Sequence, residues 1–172
     1  MARMTDALLA EIDQEGKTTK RVLERLPDEK LTWKPHPKSM TLGQLAMHVA
    51  TLPGGIARAL TKDVMDLLAV GADSAQAQPN SSAELMAALE EGLKAAKQVI
   101  AGFDDQMMMG TWKITRGEQE LMAAPRAMAA RFIMLNHWYH HRGQLSVYMR
   151  LLDIPVPSIY GPSADENPWG SQ

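Results

Sequence analysis

Three of the five histidines in this 172-residue chain fall within five residues, in the stretch LNHWYHHRGQ that starts at Leu135. His137 and His141 stand four apart, so on a helix they share one face, with Cβ atoms ~6 Å apart, close enough for both imidazoles to close around one ion. His48 repeats the pattern elsewhere, between Leu45 and Leu52 on another apolar helical face. A single core-facing histidine is more often a packed residue bonded to a neighbour. Burying an unpartnered imidazole costs on the order of 1–3 kcal/mol, however, and three of them share a purpose if they converge on one borderline-soft divalent cation.

Three imidazoles make an open shell. Structural zinc takes four protein ligands, whereas three plus water is the catalytic pattern. The residues between the pair are Trp138, Tyr139 and His140, so the H-E-x-x-H general base is missing. There are no cysteines, which removes thiolate ligands, disulfides and a cysteine nucleophile together. Zinc, nickel, iron and manganese all stay open. Such a site can activate water or lower the pKa of an incoming thiol. The sequence places no carboxylate at the site, so no general base is assigned. His140 is offset by ~60° from His137 and ~100° from His141 at α-helical pitch, and is read as a surface or interface residue. His36, between Pro35 and Pro37, is read as an exposed connector residue.

Four further residues have two readings each. Gln44 lies one turn before His48 and Gln144 three residues after His141; each either orients an imidazole or a metal-bound water, or serves as a cap (Gln44) and a bundle-edge amide (Gln144). Trp33 and Tyr160 either line a pocket mouth or act as packing anchors. The 13 methionines are adaptable core filler, not soft-metal ligands.

The elements that must position these groups are helices. Apolar positions Leu8, Leu9, Ile12, Val22, Leu23 and Leu26 predict a first helix over 5–26, stopped by Pro27. Residues 31–40, with two prolines, form an extended connector. Thr41 and Gln44 make a capping box that opens a second helix running to about Leu68, kinked or briefly broken at Pro53-Gly54-Gly55. A polar loop spans 71–80. Ser81 and Glu84 make a second capping box, opening a third helix to about Ile100. Residues 103–124 form either a short hairpin about Arg116-Gly117 or an irregular crossover. Pro125 fits the first turn of a fourth helix to about Leu152, and the proline-rich tail wraps the surface.

At ~100° per residue, Ala130, Met134, His137, His141, Leu145, Tyr148 and Leu152 fall in one arc of that last helix. Arg131, Asn136, Tyr139, Arg142, Ser146 and Arg150 fall opposite, toward solvent. Four long amphipathic helices without a linker or repeat predict an all-α fold, a four-helix bundle, with residues 1–172 as one domain. The long crossover before the last helix means that helices three and four need not be antiparallel neighbours.

Composition narrows the partners. Formal net charge is −2 with no basic block, which argues against nucleic acid and anionic lipid. No apolar run approaches ~18 residues, and the charged N-terminus has no signal-peptide core. A cytoplasmic location is the expectation.

Around these histidines the chain resembles the DinB/YfiT-like family of bacterial metal-binding bundles. The likeness is carried by LTWKPHPKSMTLGQLAMHVA around His48, by LNHWYHHRGQLSVYMRLLDIPVP around His137 and His141, and by the tail SIYGPSADE. It implies an up-down-down-up course, a homodimer, and His48, His137 and His141 as ligands to a divalent transition metal, with zinc or nickel ahead of iron or manganese. Some members are similar to S-transferases or isomerases that use low-molecular-weight thiols. The implied activity is that of a metal-dependent enzyme on a small molecule, of thiol S-transferase or hydrolase type. The alternative is a non-catalytic, stress-related metal-binding dimeric bundle.

Overall fold

The computed structural model describes residues 2–69 and 77–170; positions 71–76 of the expected polar loop lie outside them. Helix α1 spans Met4–Leu23, α2 Leu42–Ala59 and α3 Ser82–Ala101. A short α4, Asp105–Met109, precedes strands β2, Thr111–Arg116, and β3, Gln119–Pro125. The chain then enters α5, Arg126–Ala129, passes through a π-helical segment, Ala130–Asn136, and ends its regular structure in α6, His137–Leu151. Helix α3 packs against both α1 and α2, and the last helical run packs on α2 and touches α1.

The capping chemistry works as the sequence implies. Thr41 Oγ accepts the Gln44 amide at 3.0 Å and Gln44 Oε1 accepts the Thr41 amide at 3.0 Å. Ser81 Oγ accepts the Glu84 amide at 3.3 Å, but the Glu84 carboxylate takes the amide of Asn80 rather than that of Ser81. Leu8, Ile12, Val22, Leu23 and Leu26 are buried along α1, meeting Leu45, Val49, Leu85, Leu89 and Ile100 in a common core.

Two expectations are corrected. The second helix does not run to Leu68: it ends at Ala59, and Val64–Asp66 forms strand β1, parallel to β2, which is in turn antiparallel to β3. The fold is therefore mostly helical with a three-stranded sheet, not all-α. The reason lies at the end of α2, whose last carbonyls need donors. Trp112 Nε1 donates to the Ala59 carbonyl at 3.2 Å, and Arg126 donates to Leu60 at 3.0 Å and to Lys62 at 3.3 Å while pairing with Asp63. Trp112 of β2 and Arg126 at the start of α5 thus terminate the helix. The hairpin itself forms as one of the two readings of 103–124, turning at Gly117 with φ +59°.

Pro53 neither breaks nor ends α2; it is buried inside a continuous helix. The glycine beside it serves packing. A Cβ on Gly54 would lie 2.8 Å from the Gly92 Cα of α3, so the two backbones meet where only glycine fits.

The second correction concerns the solvent-facing side of the last helix. Arg142 is 1% exposed, and Trp138 is fully buried. Helix α6 is flanked on both sides, by α2 along the histidine face and by α1 along the other. Arg142 donates to Glu15 Oε2 at 2.5 Å, to the Glu15 carbonyl at 3.2 Å and to Thr19 Oγ1 at 3.1 Å. Neighbouring Glu11 accepts two bonds from Arg131, at 2.6 and 2.5 Å, and one from Tyr139 at 2.8 Å. The tail wraps the surface as expected, pinned by Asp165 to Arg150 at 2.5 Å and by Glu166 to Arg21 at 2.6 Å. Among the described residues no helix is long and apolar enough to cross a membrane.

Candidate metal centre

His48 lies midway along α2, where the capping box fixes the start of the helix and Leu45, Val49 and Leu52 anchor it in the core. His137 opens α6 directly after the π segment, and His141 follows one turn later. Wider turns of this kind recur at functional sites because they shift the phase of the side chains that follow. The three rings meet: centroids are 5.3 Å apart for His48 and His137, 4.5 Å for His48 and His141, and 4.6 Å for His137 and His141. Each residue is half-buried and offers a ring nitrogen within 4.8 Å of the other two.

The tautomers follow from the partners. His141 Nδ1 donates to Gln144 Oε1 at 2.7 Å, and the His137 ring is hydrogen-bonded to the Ile133 backbone. The Nε2 atoms of His137 and His141 face each other at 2.7 Å. A neutral imidazole protonated at Nδ1 carries a lone pair on Nε2. Two lone pairs at that separation repel unless a cation lies between them. Desolvation lowers the pKa of all three rings, and the other histidines lower His48 further, to about 4. At neutral pH the rings are therefore neutral, the state that binds metals. With metal–nitrogen bonds of ~2.0–2.1 Å, tetrahedral ligand atoms sit roughly 3.3 Å apart. Around such an ion the 2.7 Å pair would open slightly and the more distant nitrogens would close in. The donor set fits a divalent transition ion.

The other singled-out residues separate cleanly. Gln144 orients His141, as one of its two readings held. Gln44 fills its capping role. Trp33 packs edge-to-face on Tyr148 at 5.8 Å, two turns beyond His141 on the same side of α6. Tyr160 is not at the mouth of the histidine site: its hydroxyl accepts from Arg142 at 2.6 Å and donates to Glu15 at 3.1 Å, on the α1 side. His140 is exposed and outside the triad, and exposed His36 accepts the Lys38 amide at 3.1 Å. What the sequence reading missed is the Arg142–Glu15 pair, hidden because an arginine on a helix normally signals solvent. A surface groove of about 670 Å³ between α1 and α3 contains none of the three histidines; two of its lysines pair with acids, Lys97 with Asp13 at 2.9 Å and Lys20 with Glu24 at 3.6 Å.

Known proteins share this fold. An uncharacterized protein, YrdA of Bacillus subtilis (strain 168), is 26% identical over 167 residues, covering 96% of this chain and 93% of YrdA. The crystal structure of a DinB-like protein from Bacillus cereus ATCC 10987 superposes with a TM-score of 0.70 at 21% identity, over 90% of this chain and 97% of that one. A second DinB-like protein, YjoA of Bacillus subtilis, gives 0.65 at 14% identity, over 87% and 96% respectively. The model of the DinB family matches residues 1–170. With a match over nearly its whole length, the chain belongs to the DinB family.

Proposed function

We propose that His48, His137 and His141 hold a divalent transition metal, zinc or nickel in the first place, on a single-domain four-helix bundle of up-down-down-up course, and that the protein is a metal-dependent enzyme acting on a small molecule. The observation that carries the metal reading is the pair of Nε2 atoms 2.7 Å apart, with each ring's other side already bonded to Gln144 or to the Ile133 backbone. A bound metal would supply Lewis acidity, lowering the pKa of a water or thiol that takes the open position. The chain's own residues do the rest: Gln144 fixes the His141 tautomer, and the core around α2 keeps His48 turned toward the pair. Since the chain has no cysteine, a thiol nucleophile must come from outside, as a low-molecular-weight cosubstrate.

A second reading has its own support. Among the described residues no aspartate or glutamate joins the histidine group, so none of them is placed within it as a general base. The ion would then fasten α2 to α6 without turnover.

Elemental analysis of untagged protein tests the metal: near-stoichiometric zinc or nickel is expected, falling sharply in His137→Ala with the helical signal retained. Thiol-dependent conjugation or hydrolysis in a substrate panel, lost in the same variant, supports the enzyme. Bound metal with no turnover and a stability loss on chelation supports the fastening role.

A further inference from the structure

The histidine triad is half-buried between α2 and α6, so an incoming ion must shed most of its water before three rings can close on it. A metal site needs an access path as well as ligands. Among the described residues no carboxylate joins the triad to draw a cation inward.

One imidazole beside the triad is used by neither the core nor the site. His140 is exposed, and its ring lies 5.0 Å from that of His141. That separation is no larger than the 5.3 Å between His48 and His137 inside the triad. His140 also stands three residues after His137, a spacing at which helical side chains are neighbours. It does not join the group whose ring nitrogens all lie within 4.8 Å of one another. His140 is thus set too far out to complete the shell, yet close enough to pass an ion to His141.

The surroundings suit that role. Among the described residues no hydrogen bond or ion pair holds the His140 ring. Its neighbours on the helix face, Asn136, Gly143 and Gln144, are exposed and uncharged. The nearest arginines along the chain are already neutralised, Arg131 by Glu11 and Arg142 by Glu15. No unpaired cation on this stretch of helix opposes the approach of another.

We propose that His140 is the relay ligand of the metal centre, taking a divalent transition ion from solvent on its exposed ring, passing it to His141 and His137, and receiving it again on release. The proposal rests on the metal reading of the triad. A relay alters the barrier in both directions by the same factor, so it sets how fast the ion arrives and leaves without changing the equilibrium affinity. In this it differs from Gln144, which orients a ligand and whose loss weakens binding itself.

Cobalt(II), a coloured stand-in for zinc, reads both rates on the metal-free chain by stopped-flow absorbance, with release into excess chelator extrapolated to zero chelator. His140→Gln, exposed and so compatible with folding, should slow uptake and release alike by about tenfold, equal to ~1.4 kcal/mol on each barrier. Its Kd from equilibrium titration should match that of the wild type. His140→Asp places another metal-binding side chain at the same spot and should recover most of both rates. His36→Gln, at the exposed connector histidine, should behave as the wild type. Unchanged rates in His140→Gln, or a His140→Asp variant that is equally slow, would overturn the relay and leave the metal site standing. A Kd weakened by about 10–100-fold with faster release would make His140 a ligand or the support of one, and would also overturn it. A wild-type chain that takes up no cobalt would overturn the metal reading and the relay together.

Discussion

The Arg142 guanidinium lies 2.5 Å from the Glu15 carboxylate, buried to within a few per cent, one residue along the chain from His141. The pair turns α6 so that one flank rests on α1 while the other presents the histidines to α2. Tyr139 and Tyr160 lie with their rings 5.3 Å from the guanidinium carbon, and the Tyr160 hydroxyl bridges both charges. Removing one partner leaves the other charge unpaired in the interior, which costs about 3–5 kcal/mol. Glu15→Ala or Arg142→Ala should therefore lower urea stability by that amount. Replacing both by apolar residues of similar volume, Arg142→Met with Glu15→Leu, should recover most of the loss. A single substitution that left the urea midpoint in place would show that the pair does not anchor the helix.

Protonation opposes the histidine cluster. His48 has its pKa lowered from the ordinary 6.5 to about 4, and His137 and His141 are lowered as well. For a base with a depressed folded pKa, the unfolded chain binds more protons as pH falls below about 6.5. The metal-free fold should thus hold its full stability above that pH and lose it progressively toward pH 4. Metal affinity should fall over the same range, since ligation needs neutral rings. Thermal melts of chelated protein at stepped pH, compared with His48→Gln, read the first effect. The variant should show a flatter pH dependence.

Gln144 is exposed but holds His141 by its Nδ1 proton. Partners of this kind fix the tautomer and the ring direction of a ligand. Gln144→Ala should weaken zinc or nickel binding by about 10–100-fold, with less than ~0.5 kcal/mol change in stability, as for ordinary surface substitutions. Gln144→Glu keeps an acceptor and should retain binding. Isothermal titration of the metal-free proteins separates these outcomes.

The histidine triad was legible in sequence because its signal is local: an i,i+4 pair and a third imidazole on an apolar stripe, each set by helical period alone. The capping residues Thr41 and Ser81 were legible for the same reason. The wheel failed at Arg142, where burial depends on which helices flank α6, a tertiary fact that periodicity does not encode. The end of α2 failed similarly. Leu60 to Leu68 reads as more helix until Trp112 and Arg126, some 50 residues or more away, supply the donors that stop it. The π segment was equally hidden, since nothing in ARFIMLN departs from ordinary helical composition.

Gly54 and Gly92 bring α2 and α3 together backbone to backbone, one and a half turns beyond His48. A methyl group at Gly54 would sit 2.8 Å from both the Cα and the carbonyl oxygen of Gly92, and one at Gly92 would sit 2.8 Å from the Ala50 carbonyl oxygen. Neither contact is with a flexible side-chain end, so the helices themselves must separate. In an open helix interior, Gly→Ala is favourable by about 0.5–1 kcal/mol; here overpacking should outweigh that gain, with a net loss of about 1–3 kcal/mol. Since α2 carries His48 while α6 carries its partners, pushing α2 off α3 also moves one imidazole relative to the other two. Gly54→Ala should therefore lower metal affinity as well as urea stability. Gly55→Ala, on the same helix with open space around its Cβ, should leave both intact or raise stability slightly.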